Sequence, residues 1–188
     1  MKIFILIASL FITSTMAATK TETPIKINFA YPALGTAIGA QIGLILEKTE
    51  IFKIYGFDAS IKSMTSDKEL QTALVDGLAD VIITTESNYV ALTEKNAKAT
   101  VISTLGLEKD FQLVNVLSKS YSLKNPKALE KLNGAFVDAF YYLINHKAEV
   151  NKWYGDIAKM SPQAVDAASK LNKNYNAKKL SDINIKVP

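Results

Sequence analysis

The chain has 188 residues, no cysteine and no arginine, which excludes disulfides, thiolate metal centres, cysteine nucleophiles and any bidentate guanidinium clamp on an oxyanion. Its 22 basic residues, all lysine, outnumber 18 acidic ones for a net charge of +4, but they are spread along the sequence rather than gathered into the basic stripe that grips nucleic acid. The length suits one domain of ordinary size, or one and a fraction, and the absence of cysteine also removes the acylated anchor of a lipoprotein.

Residues 1–17 read as an export signal. Lys2 supplies a positive start, Ile3 to Ile12 is an apolar run broken by Ser9, and Thr15-Met16-Ala17 puts small residues at the −3 and −1 positions of a cleavage site. That run is shorter than the roughly 20 apolar residues needed to span a bilayer. The mature chain is therefore expected to begin near Ala18, free in the periplasm without a lipid anchor, with 18–24 as a polar, flexible lead-in.

Ile25, Ile27 and Phe29 alternate with polar residues and predict a first strand, which Tyr31-Pro32-Ala33-Leu34-Gly35 should break. Thr36 is placed to cap a helix over 37–48, where Ile38, Ile42, Ile45 and Leu46 fall at helical spacing and Gly39 and Gly43 allow close approach to a sheet. Gly56 marks a turn into a second strand over 58–62. Ser66 with Glu69 forms a capping box for a second helix carrying Leu70, Ala73 and Leu74, and Gly77 suits its C′ position. The run Ala79-Asp80-Val81-Ile82-Ile83-Thr84-Thr85 is continuously β-branched from Val81, as in a strand buried on both faces of a parallel sheet. A helix over 87–95 then leads to a fourth strand over 99–105.

This alternation predicts an α/β fold with an open, mainly parallel sheet over 25–107, in which ligands bind at the carboxyl ends of the strands. A junction follows over 108–125, with one more strand at 111–118, and then a C-terminal helical region over 126–188. Asn125 is placed to cap and Pro126 to open a helix whose apolar face is Leu129, Leu132, Phe136, Phe140, Leu143 and Ile144. Ser161-Pro162 opens another, with Val165, Ala168 and Leu171, while 172–188 has weak periodicity.

His146, the one histidine, has no companion ligands for a metal and no Ser or Asp pattern for a triad; a helix C-terminus suits its charge. Trp153 and Tyr154 read as packing residues, and Phe140-Tyr141-Tyr142 alternates between core and surface. With no phosphate loop, acid pair or metal spacing, no catalytic residue and no cofactor is assigned.

Several passages together resemble a known family: a first strand ending in Tyr31-Pro32, the run Ile51-Phe52-Lys53-Ile54-Tyr55-Gly56-Phe57, Glu69 to Gly77 followed by Ala79-Asp80-Val81, and Asn125-Pro126-Lys127-Ala128 with the helices behind it. The chain is similar to the periplasmic substrate-binding proteins of ABC importers for nitrate, sulfonates, taurine and related small solutes, with thiamine-precursor binders as relatives. The resemblance implies a type II periplasmic-binding-protein lobe that holds a small anionic or zwitterionic solute and docks on permease subunits. Members have two lobes, so most of the second is expected to be missing here, with the break between Gly106 and Asn125.

The resemblance places solute contacts in the loops after the first three strands: Tyr31, Pro32 and Thr36, then Thr65 and Ser66, then Thr85, Glu86 and Ser87. Helix N-termini suit oxyanions there, although Ser and Thr also cap helices routinely. Glu86 would repel a plain anion unless the solute also carries an amine; alternatively it is a first-turn residue that favours the helix dipole. One other reading is a self-associating, non-transport module that covers the face left by the missing lobe. An enzyme of the pyrimidine-synthase branch is a third, against which His146 lies outside the expected cleft and no lysine is clearly placed for a Schiff base.

Overall fold

A computed structural model of the chain describes residues 23–94, 98–108 and 111–168. The expected export signal, residues 18–22 of the lead-in and the tail over 172–188 lie outside the described residues. The elements in chain order are β1 (Ile25–Pro32), α1 (Ala37–Lys48), α2 (Ile51–Ile54), β2 (Phe57–Met64), α3 (Asp67–Val75), β3 (Val81–Thr85), α4 (Glu86–Glu94), β4 (Ala99–Glu108), β5 (Phe111–Ser118), α5 (Lys119–Lys124), α6 (Ala128–Asn145), α7 (Lys147–Ala158) and α8 (Pro162–Ala168).

The strands form one five-stranded sheet in the order β2-β1-β3-β5-β4. β1 runs parallel to β2 from Ile25↔Phe57 to Pro32↔Met64 and parallel to β3 at Phe29↔Val81 and Ala30↔Ile82. β5 is antiparallel to both β3 and β4, so β4 shares the direction of the first three strands. The segment read as a junction thus contributes a central strand. Leu113, Val114, Val116 and Leu117 of β5 are all buried, the composition of a strand covered on both faces. β4 takes the edge instead, where shifts of register between Val101 and Ser103 and between Thr104 and Gly106 disrupt its ladder, as bulges at sheet edges do.

Side chains leave alternate faces of each strand, which divides the core in two. Ile27, Phe29 and Tyr31 of β1 pack with α1, α2, α6 and α7 on one face, around Phe29, Phe52 and Phe136, whose ring centroids lie 5.5–6.4 Å apart. Ala30, Ile82, Val114 and Val116 meet Leu70 and Leu74 of α3 and Leu92 of α4 on the other.

Gly43 of α1 sits directly on the Tyr31 ring: a Cβ there would fall 2.1 Å from Tyr31 Cγ and Cδ2. The expected close approach of this helix to the sheet is what the structure has. At the end of α3, Gly77 (φ +72°) forms a Schellman turn, with its N–H on the Leu74 carbonyl and the Leu78 N–H on the Ala73 carbonyl.

Three expectations need correction. β1 does not break at Tyr31-Pro32 but runs through both; Pro32 is its last residue and lies beyond the final pair with β3, so no ladder bond on that side needs its missing N–H. Asn125 closes α5 rather than opening α6, since its N–H and Nδ2 both donate to the Tyr121 carbonyl at 2.9 and 3.3 Å, and Lys127 takes the N-cap position of α6. Ile144 is exposed, and Ala128, Ala135 and Ala139 fill the buried stripe beside Leu132, Phe136, Phe140 and Leu143. Ser161 does cap α8, its Oγ accepting from the Ala164 N–H at 3.2 Å.

His146 ends α6 and precedes α7, stacked on Tyr142 at 4.2 Å with Nδ1 3.8 Å from Glu149 Oε2. Trp153 is partly buried and stacks on Tyr142 at 6.3 Å.

Candidate functional site

The loops leaving the carboxyl ends of β1 and β2 meet the last residue of β3 around an open cleft of about 500 Å³, lined by Leu34, Gly35, Thr36, Thr65, Ser66, Asp67 and Thr85. Its size is that of a small-molecule site. Parallel strands place it: each loop carries the chain from a strand end to the first turn of the next helix, so the starts of α1, α3 and α4 gather at one end of the sheet.

Of the expected contact residues, Thr36, Thr65, Ser66 and Thr85 line this cleft. Tyr31 and Pro32 are buried and not among its lining residues. The Tyr31 hydroxyl donates to Glu47 Oε2, and burial, reinforced by that carboxylate, pushes the phenol well above its ordinary range. Glu86 and Ser87 are exposed in the first turn of α4, beside the lining rather than in it. Leu34, Gly35 and Asp67 were not singled out in the sequence as site residues. The signal for Asp67 was its place directly after Ser66, inside the capping box.

Most of the cleft hydroxyls are committed. Ser66 Oγ accepts from the Glu69 N–H at 3.2 Å, while Glu69 Oε2 accepts from the Thr65 N–H at 2.8 Å and from Thr65 Oγ1 at 2.9 Å. The backbone bond from Thr65, then its hydroxyl, holds the Glu69 carboxyl below the usual glutamate range. Thr85 Oγ1 accepts from the Asn88 N–H at 3.3 Å and lies 3.0 Å from Ser87 Oγ, so Thr85 caps α4. Thr36 differs. It holds the N-cap position of α1 with no side-chain cap bond, and its Oγ1 is buried without a hydrogen-bond partner.

Charge divides the cleft. The first turn of α1 has no acidic residue, whereas α3 begins with Asp67 and Glu69 and α4 with Glu86. Asp67 is the charged residue of the lining, and no lysine joins it. A second cavity of about 590 Å³ between α7 and α8 is less suited to a charged solute, because Lys147 Nζ and Asp166 Oδ1 lie 2.5 Å apart and neutralise one another.

No protein-family model and no curated protein matches the sequence. Solved structures do match in shape. The periplasmic aliphatic sulphonate binding protein SsuA from Escherichia coli superposes with a TM-score of 0.62 at 9% identity, covering 77% of this chain and 82% of that one. The alkanesulfonate-binding protein SsuA from Xanthomonas axonopodis pv. citri, bound to MOPS, gives 0.61 at 8% identity, with coverages of 77% and 83%. The chain has the α/β fold of a periplasmic-binding-protein lobe, with helices added at its C-terminal end. The comparisons carry no evidence for the expected loss of a second lobe; the described residues form one sheet. No helix among them is long and apolar enough to cross a membrane, and no group of three or more His, Asp or Glu gathers there as a metal site would require.

Proposed function

We propose that the chain is an exported solute-binding component of an ABC-type importer, which holds a small anionic or zwitterionic solute in this cleft and delivers it to permease subunits in the periplasm. The observation that carries the reading is the meeting of Thr36, Thr65, Ser66 and Thr85, from three successive strand ends, around one cavity of ligand size. Two solved structures of the same fold are named as sulfonate binders, one of them bound to the zwitterionic sulfonate MOPS, which supports the solute class without fixing it. Binding without turnover fits the cleft, where Ser66 and Thr85 cap helices and no histidine or lysine among the described lining residues is placed to activate a hydroxyl.

Thr36 gives the reading a test, because the residue lines the cleft while its Oγ1 is buried against Gly39 of α1 without a hydrogen-bond partner, a cost to the fold of about 1–3 kcal/mol that a solute reaching it would relieve. Thr36→Val should leave the thermal midpoint unchanged or higher, and should weaken binding of whichever probe gives a saturable isotherm (taurine, 1-propanesulfonate, nitrate or bicarbonate) by about tenfold, or 1.4 kcal/mol. Calorimetric titration of both proteins decides it. Undiminished affinity in the variant would remove Thr36 from the site.

A further inference from the structure

We infer that two copies of the chain pair antiparallel through the free edges of β2, about a two-fold axis at Ser60, so that their two five-stranded sheets become one. No β2 residue lines the cleft, so the inference stands apart from the solute-binding reading. β2 ends the sheet, with β1 on one side and no described strand on the other. In the parallel ladder with β1, the Ile25 N–H donates to the Gly56 carbonyl at 2.9 Å and the Ala33 N–H to the Met64 carbonyl at 2.8 Å. Gly56, Met64 and the even-numbered residues between them therefore turn their backbone groups towards β1. Phe57, Ala59, Ile61 and Ser63 turn theirs outward, and such a row is a template for another strand.

The side chains decide which strand fits. Ala59 and Ile61 are half-buried on the face shared with α1 and α2, beside an open groove of about 410 Å³ lined also by Leu46, Phe52 and Phe57. Asp58, Ser60 and Lys62 are exposed and leave the other face of the strand. Neither charge has an ion-pair partner among the described residues, although Lys26 of β1 stands beside Asp58 in register. Pairing β2 with a second β2 about Ser60 sets Asp58 opposite the partner's Lys62 and Lys62 opposite the partner's Asp58, while Ala59 and Ile61 face one another across the seam in both directions. The backbone agrees with this register. Antiparallel pairs alternate between bonded and unbonded positions, and the outward-facing Ala59 and Ile61 fall at bonded ones. Asp58 with Lys62, and Ser60 with its own counterpart, fall at unbonded ones, where Cα atoms are about 4.5 Å apart and side chains closest. A shift of one residue sets outward-facing groups against inward-facing ones, and a shift of two loses both ion pairs. A lysine on an edge strand ordinarily blocks pairing; here the same strand supplies its counter-charge.

In analytical ultracentrifugation the full chain should show a reversible dimer. Lys62→Asp and Asp58→Lys each set like charges opposite one another at two places, and each should weaken self-association about tenfold. An equimolar mixture of the two variants should associate as tightly as the unaltered chain, because every facing pair is then opposite in sign. The chain has no cysteine, so Ser60→Cys adds a single thiol, and mild oxidation should link two copies through it, since unbonded partners lie within disulfide reach. Thermal midpoints confirm that each variant is folded, and the Ser60→Cys link carries the test should a charge variant fail to fold. An unaltered chain that stays monomeric up to millimolar concentration overturns the inference, whether its edge is bare or covered from within the same chain. So does a dimer that both charge variants keep at full strength, one that mixing them does not restore, or one that Ser60→Cys fails to link. None of these outcomes bears on solute binding by the cleft.

Discussion

Replacing Gly43 by alanine is expected to destabilise the protein by about 1–3 kcal/mol, the usual range for overpacking a close-packed core, or to prevent folding outright. The sign is informative, because in an exposed helix the same exchange stabilises by about 1 kcal/mol through helix propensity. Here the added methyl would lie 2.1 Å from the Tyr31 ring, far inside contact distance. The ring has little room to yield: it stacks on Phe29 with centroids 6.0 Å apart, and its hydroxyl is held by Glu47 on the same helix that carries Gly43. Urea denaturation followed by circular dichroism measures the loss. Adding Tyr31→Leu to the alanine variant should recover part of it, a coupling that identifies the ring as the obstacle. A Gly43→Ala protein as stable as the parent would mean that α1 does not rest on β1 as described, and the cleft wall that α1 begins would then be misplaced.

The second large effect is expected at Phe136. Truncation to alanine should cost about 3–5 kcal/mol, a large part of the 5–15 kcal/mol that ordinarily holds a domain together. Phe136 belongs to α6, in the region set apart as C-terminal in the sequence, yet its ring meets Phe29 of β1 at 5.9 Å and Phe52 of α2 at 6.4 Å. The C-terminal helices and the sheet therefore share one core and should unfold together. Trp153, the single tryptophan, sits on α7 and reports from that region by fluorescence, while circular dichroism reports from the whole chain. Both signals should shift to lower urea by the same amount in Phe136→Ala and remain coincident. A tryptophan transition that moves alone would show the helices to be a separate unit.

Local chemistry made much of this fold legible. The bounds of α1, the cap of α3 by Ser66, the Gly77 turn and the fully buried β3 each follow from a pattern contained within a few residues. What the sequence did not disclose depends on partners far along the chain. That β5 lies between β3 and β4 is decided by which strand buries both faces, and the run Leu113 to Leu117, apolar except for Asn115, marks such a strand without saying where it inserts. Asn125 reads as opening a helix because the short α5 before it is not visible in the sequence, and the Tyr121 carbonyl that it closes on belongs to that helix. In the cleft, Ser and Thr at loop ends were visible, but whether each hydroxyl serves a cap or stands free needs three-dimensional neighbours: Ser66 and Thr85 cap, and Thr36 does not. Asp67 was hidden for the same reason, since a first-turn aspartate and a cleft-lining one look alike in sequence.

The measurement that tests solute binding most directly is the thermal midpoint of the purified chain, alone and with taurine, alkanesulfonates, nitrate, bicarbonate and aminopyrimidines. A ligand that binds only the folded state adds about 2.7 kcal/mol of stability at one hundred times its dissociation constant. The expected result is one cooperative transition that at least one of these solutes raises in a saturable manner. A cooperative transition that none of them moves at millimolar concentration would contradict a solute-binding role for the cleft.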